Sequence, residues 1–295
     1  MKKVLVLVAA VMAVVASANA KAAFAYEAGA EIVSAYIWRG QYNGGLSFQP
    51  EVLFGYDGEH TALRLGAWSS LGSSDLMFRK DQGDGTGFTR FMPELDIIGS
   101  FTACGLSVGF NHYYYCDGSN FFSWKKDADL IDAEGNVLTT TSTEVWAGYN
   151  FSHFFGDKAG AYINWYTTVA GNDFISEETT GELRRAWSSY LEVGYDYTFE
   201  KVGITLGAQV GMSPWASDLY GNSKFAVTNV SAKFDKEWEL DKCSINLFLQ
   251  GSINPDGLVT DPNSPSYNLL LWKAAGDDKL YTQRLNGVIG IGFWF

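Results

Sequence analysis

The last eleven residues, 285–295, constrain the fold of this chain more than any other stretch. They read LNGVIGIGFWF and alternate at period two, which is the side-chain period of a β-strand. In water, such an apolar terminal strand would be an exposed edge that promotes aggregation, whereas a barrel that closes on its first strand has no edge. Lipid also favours an apolar outer face. The ending therefore predicts a membrane β-barrel rather than the last core strand of a soluble sandwich.

Two aromatic residues lie two positions apart at the terminus, after a glycine; they are Phe293 and Phe295, after Gly290. This arrangement resembles the assembly signal of bacterial outer-membrane barrels, although Val288 stands where that signal usually has a polar residue. The resemblance implies that the barrel-assembly machinery recognises this strand and that outer-membrane lipid surrounds the folded protein.

The first twenty residues have the three parts of a secretory signal peptide. Lys2 and Lys3 form the basic region, residues 4–15 are apolar, and residues 18–20 read Ala-Asn-Ala, a cleavage site. The apolar run is too short for a membrane-spanning helix. We therefore expect residues 1–20 to direct export, so that any membrane insertion occurs through strands.

Composition excludes several classes of function. Aromatic residues make up 16% of the chain and charged residues 18%, which suits a lipid-facing barrel with a polar lumen and wet loops. The formal net charge of −12 argues against a nucleic-acid partner and favours an acidic lumen or loops that attract cations. Cys104, Cys116 and Cys243 lack the spacing of a zinc site, and the first two fall at opposite ends of one predicted strand, too far apart to pair. We predict no cofactor and no metal.

Period-two alternation recurs in twelve segments, each long enough to cross a bilayer at a tilt. They are residues 26–38, 46–57, 59–71, 89–101, 103–115, 139–152, 158–170, 184–199, 201–213, 224–238, 241–254 and 284–295. Short turns alternate with long connections, which are residues 39–45, 72–88, 116–138, 171–183, 214–223 and 255–283. This predicts an all-β fold: one transmembrane antiparallel β-barrel of about twelve strands over residues 21–295, with short periplasmic turns and long extracellular loops.

Most charges of these strands are predicted to face the lumen, because a charge at mid-depth on the lipid face costs ~2–4 kcal/mol. The predicted pore-lining residues are Glu31, Arg39, Glu51, Arg64, Glu94, Asp96, Glu144, Glu192 and Asp196. We expect Arg64 to lie between Glu51 on one side and Glu94 and Asp96 on the other, as their counter-charge. Two interpretations stay open: a pore lining that favours cations, or a salt-bridge network that braces and closes a narrow barrel.

Residues 34–40 read Ser-Ala-Tyr-Ile-Trp-Arg-Gly. This stretch resembles an uncharacterised family of bacterial outer-membrane proteins with a Ser-x-Tyr-x-Trp-Arg-Gly motif after the signal peptide. The resemblance implies location and a channel, not a substrate. On physical grounds Tyr36 and Trp38 suit the outer aromatic belt. We expect Arg39 at the outer mouth, where it either lines the pore or only anchors the neighbouring strand.

A lipid hydrolase is an alternative from another class. Residues 109–112 read Gly-Phe-Asn-His, and outer-membrane phospholipases begin a similar stretch with Gly-Tyr-Asn-His. Their serine two residues after the histidine is replaced by Tyr114, so His112 has no nucleophile within reach along its strand. We predict no catalytic residue and expect His112 to be a polar residue at the outer rim.

Two of the long connections have candidate roles of their own. Residues 116–138 are rich in charge, and residues 255–283 contain the apolar run 269–272. Each is either a constriction loop, a calcium site or a partner surface, or else a solvated external loop. We expect residues 269–272 to form a short helix or to tuck into the barrel mouth.

We expect a porin-like channel for passive diffusion of small solutes, with a preference for cations, and we do not expect an enzyme. A closed barrel that serves as a structural or surface-interaction protein and an outer-membrane lipid hydrolase are the alternatives. The sequence leaves the solute and the oligomeric state open.

Overall fold

The computed structural model describes residues 23–72, 78–80, 89–91, 93–115, 121, 141–155, 159–176, 183–255, 271–272, 281–282 and 285–295. The predicted signal peptide, residues 1–20, lies outside them. So does most of the two connections at 116–138 and 255–283, so their predicted roles stay predictions.

Twelve antiparallel strands form one closed barrel. In chain order they are β1 (Ala23–Val33), β2 (Ser47–Asp57), β3 (Thr61–Gly72), β4 (Glu94–Ala103), β5 (Leu106–Tyr114), β6 (Ser142–Asn150), β7 (Ala159–Gly171), β8 (Ser189–Phe199), β9 (Ile204–Ser213), β10 (Ala226–Glu239), β11 (Ser244–Ile253) and β12 (Leu285–Trp294). Each strand pairs with its neighbours in sequence, and β12 pairs with β1 to close the ring. The predicted all-β, twelve-stranded antiparallel barrel is confirmed.

Side chains alternate between an exposed apolar outer face and a more buried inner face. On β11, Leu249 points outward and is 51% exposed, whereas Ser252 points inward and is 2% exposed. On β8, Val193 and Tyr195 are exposed, while Gly194 between them is buried and Glu192 before them faces inward. Because apolar side chains remain exposed round the ring while polar ones are buried, the barrel is built for lipid rather than water.

The seam between β1 and β12 uses the last residue of the chain. The backbone N–H of Phe295 donates to the carbonyl of Ala28 at 2.8 Å. Gly290 faces the interior against the ring of Phe248, where a Cβ would collide, and Phe293 points outward. The three residues of the predicted assembly signal thus lie in the closing strand pair. Their recognition by the assembly machinery stays a prediction.

Connections alternate in length as predicted. The short connections lie at the end of the barrel where β1 begins. They are residues 58–60, 104–105, 151–158, 200–203 and 240–243. The third contains the helix α1 (Ser152–Phe155), and the fourth contains a 3₁₀ turn at Glu200–Val202. The long ones are residues 34–46, 73–93, 115–141, 172–188, 214–225 and 254–284. Within the described residues, no helix is both long and apolar enough to cross a membrane.

Several boundaries differ from the prediction: β4 begins at Glu94 rather than at residue 89, and β8 begins at Ser189 rather than at residue 184, because Leu183–Arg185 pairs separately with Phe174–Ser176. The first strand ends at Val33 rather than at residue 38, because the chain then forms a separate hairpin. Leu271–Trp272 pairs with Tyr281–Thr282 as a short strand, so these two residues of the apolar run are not helical.

Candidate functional site

The first long connection turns back into the barrel. Residues 34–46, called the lumenal hairpin below, contain the paired strands Tyr36–Trp38 and Gln41–Gly44. Arg39 and Gly40 form the two-residue turn, with φ of 50° and 83°. Two positive φ values are typical of a type I′ hairpin turn, which glycine adopts freely and arginine only at a cost. The motif of residues 34–40 therefore encodes the first arm and the turn of this hairpin.

The base of the hairpin is fixed near the barrel seam. The Oγ of Ser34 accepts a hydrogen bond from the N–H of Ile289 on β12 at 2.9 Å, and strand pairing with β2 ends one residue earlier, at Val33. The apolar side of the hairpin packs on inward-facing apolar residues: Ala35 and Ile37 contact the cluster of Val33, Phe248 and Val288. Burial of this apolar side stabilises the hairpin inside the lumen.

The turn of the hairpin presses against β10 and β12. The Nδ2 of Asn286 donates to the carbonyl of Gly40 at 3.2 Å. A Cβ at Gly40 would collide with the carbonyl oxygen of Thr228 on β10. The turn therefore requires glycine both for its backbone angle and for its close approach to the wall.

Arg39 reaches the wall of β6, far from β1 in the ring. Its Nη1 donates to Oε2 of Glu144 at 2.6 Å and its Nη2 donates to Oε1 at 2.8 Å, a bidentate ion pair. Nη1 also donates to the hydroxyl of Tyr220 at 2.6 Å. The side chains of Arg39 and Glu144 are 10% and 1% exposed. Arg39 is therefore no residue of the outer mouth: it joins the hairpin to a distant strand rather than to the neighbouring one.

Aromatic rings surround this ion pair. The guanidinium carbon of Arg39 lies 4.6 Å from the ring centre of Trp38, 3.9 Å from that of Tyr166 and 4.8 Å from that of Tyr190. All three distances are within the range of cation–π attraction. We call the group the Arg39 cage, made of Trp38, Tyr113, Glu144, Tyr166, Tyr190 and Tyr220.

The expectation that Tyr36 and Trp38 belong to the outer aromatic belt is wrong. The ring of Trp38 stacks on Tyr220 with 5.7 Å between centres and 7° between planes. The ring of Tyr36 lies 5.4 Å from that of Trp68, which faces inward on β3. Inside the barrel both rings gain aromatic partners.

Glu94 and Asp96 on β4 face the other arm of the hairpin and are 4% and 6% exposed. Glu94 accepts hydrogen bonds from the side chains of Tyr36 and Tyr115. The Oδ1 of Asp96 is buried and has no hydrogen-bond partner among the described residues. The hairpin thus lies between two acidic walls, and it supplies a cation to one of them and a hydroxyl to the other.

Arg64 does not lie between Glu51 and Glu94, and that prediction is wrong. Its Nη1 lies 2.7 Å from Oδ1 of Asp57 at the short-turn end of the lumen. In the strand register, Glu51 is opposite Trp68 and Glu94 is opposite Ser70. Arg64 is therefore offset from Glu51 by four positions, about 13 Å along the strand.

The remaining predicted pore-lining residues also face inward. Glu192 on β8 accepts a hydrogen bond from Nδ2 of Asn164 at 3.3 Å. Glu31, Glu51 and Asp196 point into the half of the lumen beside Lys233 and Asp235. The Nζ of Lys233 and Oδ2 of Asp235 form an ion pair at 3.2 Å.

The short-turn end of the lumen holds an acidic vestibule that the sequence reasoning missed. A cavity of about 530 Å³ is lined there by Glu27, Asp235, Glu237 and Glu239, among other residues. The signal was present in the sequence, because Lys233, Asp235, Glu237 and Glu239 fall on one face of β10 at period two. The cage residues Tyr166, Tyr190 and Tyr220 carried no comparable signal, since only the fold brings them together.

His112 faces outward at the loop end of β5 and is 1% exposed. Its Nδ1 lies 2.9 Å from Oγ1 of Thr143, on the adjacent strand, and its Nε2 lies 2.5 Å from the carbonyl of Phe121. A hydroxyl is therefore within reach after all, which reasoning along one strand could not reveal. The ring centre of Phe121 lies 5.1 Å from that of His112, so His112 anchors residue 121 to the barrel rather than standing open to lipid. No group of three or more His, Cys, Asp or Glu side chains in the described residues could hold a metal ion.

No protein-family model and no curated protein matches this chain. Among solved structures, it is similar to an outer-membrane channel from Pseudomonas putida F1, with 10% identity, 92% of this chain and 94% of that chain covered, and a TM-score of 0.42. The toluene transporter TodX of P. putida matches with 10% identity, 92% and 89% coverage and a TM-score of 0.36. An anion-selective porin from Comamonas acidovorans matches with 8% identity, 93% and 99% coverage and a TM-score of 0.34. Likeness at this level carries no argument about function.

Proposed function

We propose that the protein is a passive channel for small solutes in a Gram-negative outer membrane, reached after export through the signal at residues 1–20, and that it prefers cations. The observation that carries the proposal is the charge of the inner face. Its carboxylates in the described residues are Glu27, Glu31, Glu51, Asp57, Glu94, Asp96, Glu144, Glu192, Asp196, Asp235, Glu237 and Glu239.

The cations on the same face do not balance these carboxylates. Within the described residues they are Arg39, Arg64 and Lys233, and each pairs with a single carboxylate. A net negative wall in a narrow tube of low dielectric lowers the barrier for cations and raises it for anions. The lumenal hairpin narrows the loop half of this path, and the acidic vestibule opens the other half toward the short turns.

The test is the reversal potential of the purified protein in planar bilayers across a potassium chloride gradient. The wild type should prefer potassium over chloride. Glu51→Gln combined with Glu237→Gln should lower the permeability ratio at least about twofold, because lumenal charge sets the field in the pore. Both carboxylates are away from the Arg39 pair, so the barrel should stay folded. Glu59→Gln is the matched control, since that side chain is 81% exposed on the turn at residues 58–60.

A closed structural barrel is the second candidate, and one observation favours it. The hairpin contacts β3, β4, β6, β10 and β12, so it bridges much of the ring. If the protein folds into bilayers but shows no conductance, the channel proposal fails and the closed barrel takes its place. We propose no catalytic role for His112, because the ring of Phe121 packs against it and the side chains of His112 and Thr143 are 1% and 7% exposed.

A further inference from the structure

The walls of the Arg39 cage form a binding site for a planar cation. Glu144 presents its two carboxylate oxygens side by side, and Oε1 also accepts hydrogen bonds from Asn111 at 3.2 Å and Tyr113 at 3.0 Å. These donors hold the carboxylate in place. The rings of Tyr166 and Tyr190 flank the position of the guanidinium. A fixed carboxylate fork with aromatic faces beside it matches a guanidinium group better than a spherical ion or a neutral solute.

The occupant of this site comes from the hairpin, whereas most of the site comes from the wall. Arg39 stands at the turn of the lumenal hairpin, and Trp38 precedes it. Tyr113, Glu144, Tyr166 and Tyr190 lie on β5, β6, β7 and β8, and Tyr220 lies on the connection at residues 214–225. A shift of the hairpin would therefore withdraw the cation and leave the recognition groups in place.

We propose that the Arg39 cage binds the guanidinium group of small solutes that pass through the lumen, and that Arg39 is its tethered occupant. The inference rests on the proposed channel function and names the class of solute. A tethered group competes at an effective concentration of roughly millimolar or higher, so a free solute displaces it only when abundant or when the hairpin moves. The acidic vestibule and inner wall concentrate such cations near the site.

Binding is tested with methylguanidinium chloride, independently of conductance. Arg39→Ala empties the cage of its occupant, and Arg39→Ala combined with Glu144→Gln also removes the carboxylate. The assay is done in detergent with about 20 mM methylguanidinium, a concentration on the order of the tether's effective concentration. The unfolding midpoint of Arg39→Ala should then be about 5 °C higher than in sodium chloride of the same ionic strength. The double variant should show no shift. Equal shifts in both variants, or none in Arg39→Ala, would overturn the proposal.

Arg39→Lys covers the case in which Arg39→Ala does not fold, because it keeps a cation beside Glu144. Lysine cannot form the bidentate fork, so methylguanidinium should displace it and raise the midpoint. An Arg39→Lys barrel that responds to methylguanidinium no more than to sodium would also overturn the proposal.

Permeation through liposomes separates this site from the channel itself. Arginine and citrulline have nearly the same shape, but citrulline carries a neutral urea group in place of the guanidinium. Arginine should enter liposomes that contain the wild-type protein faster than citrulline does. The ratio of the arginine entry rate to the citrulline entry rate should be roughly tenfold higher for Arg39→Ala than for the double variant Arg39→Ala with Glu144→Gln. Equal ratios in the two variants would refute a role in passage. If neither solute nor potassium permeates while methylguanidinium still binds, the channel function fails and the site stands.

Discussion

Among the described residues, two arginine–carboxylate pairs lie in the lumen, one in each half. Arg39 and Glu144 meet in the loop half, with side chains 10% and 1% exposed. Arg64 and Asp57 meet at the short-turn end at 2.7 Å, with side chains 24% and 48% exposed. The shortest distances are nearly equal, so length alone does not tell the pairs apart. Burial does: breaking a buried pair leaves an uncompensated charge, whereas an exposed pair contributes ~0–1 kcal/mol.

The same contrast separates the two halves of the lumen. The loop half is filled by the lumenal hairpin and the rings around Arg39, whereas the short-turn half contains a cavity of about 530 Å³ with acidic walls. We infer that the loop half sets stability and solute choice, and that the short-turn half attracts ions without contributing much to stability.

The largest effect should follow from Glu144→Gln. The change leaves the Arg39 guanidinium buried without its counter-charge, and we expect a loss of ~3–5 kcal/mol in the free energy of unfolding. Urea unfolding followed by heat-modifiable gel mobility measures it. Glu192→Gln is the matched control, because its carboxylate accepts from a neutral amide, Asn164, rather than from a bidentate arginine. Similar losses in both variants would contradict the comparison.

Gly40→Ala should have the next largest effect. A Cβ there would collide with the carbonyl of Thr228, and alanine tolerates a φ of 83° poorly. We expect a loss of roughly 2–3 kcal/mol, together with displacement of the hairpin. Gly45→Ala, whose Cβ would meet only the Tyr42 hydroxyl at 3.5 Å, should be nearly neutral in the same urea titration. A neutral Gly40→Ala would mean that the hairpin does not press on β10.

A pH effect should arise from the connections on the loop side. Burial, together with the nearby carboxylate of Asp173, raises the pKa of Asp218 to about 7, while a backbone N–H from Phe174 opposes the rise. Burial also raises the pKa of Asp173, against hydrogen bonds from Ser188 and the charge of Arg185. Asp218 lies on the connection at residues 214–225, in which the N–H of Tyr220, a residue of the Arg39 cage, donates a hydrogen bond to the Oγ of Ser217.

A folded-state pKa above the unfolded value means that ionisation destabilises the fold. Stability from Asp218 should therefore be fully present below about pH 4 and should be lost as the pH rises through about 7. Asp218→Asn should flatten this part of the pH profile of unfolding. An unchanged profile in that variant would exclude Asp218 as its source.

Arg64→Ala should have the smallest effect. Its partner is 48% exposed, so we expect a loss below about 1 kcal/mol and little change in folding yield. This replaces the expectation that Arg64 neutralises Glu51 and Glu94, from which a larger loss would follow. A loss as large as that of Glu144→Gln would show that burial does not separate the two pairs.

The sequence predicts the barrel because its signals are local. The period-two alternation of β11 and β12 and the alternation of short and long connections each appear within a few residues of chain, and all persist in the fold. Glu94, Asp96 and Glu144 were placed on the inner face by the same rule. The same alternation indicates that Asp235 and Glu237 on β10 face inward, although neither was among the predicted pore-lining residues.

The site could not be predicted because its contacts join distant parts of the chain. Arg39 and Glu144 are 105 residues apart, and Arg39 and Tyr220 are 181 apart. Tyr36 and Trp38 continue the alternation of β1, so periodicity alone extends that strand past Val33. The hydrogen bonds of Ser34 to Ile289, the packing of the hairpin's apolar side and the positive φ of Arg39 and Gly40 turn the chain inward.

Paired double-mutant cycles test the central claim most directly. One cycle combines Arg39→Ala with Glu144→Gln, and the other combines Arg64→Ala with Asp57→Asn, with the free energy of unfolding measured for every variant in urea. We expect a coupling free energy of about 2–3 kcal/mol or more for the first pair and less than about 1 kcal/mol for the second. Equal couplings, or a coupling near zero between Arg39 and Glu144, would contradict a lumenal hairpin held by a buried ion pair.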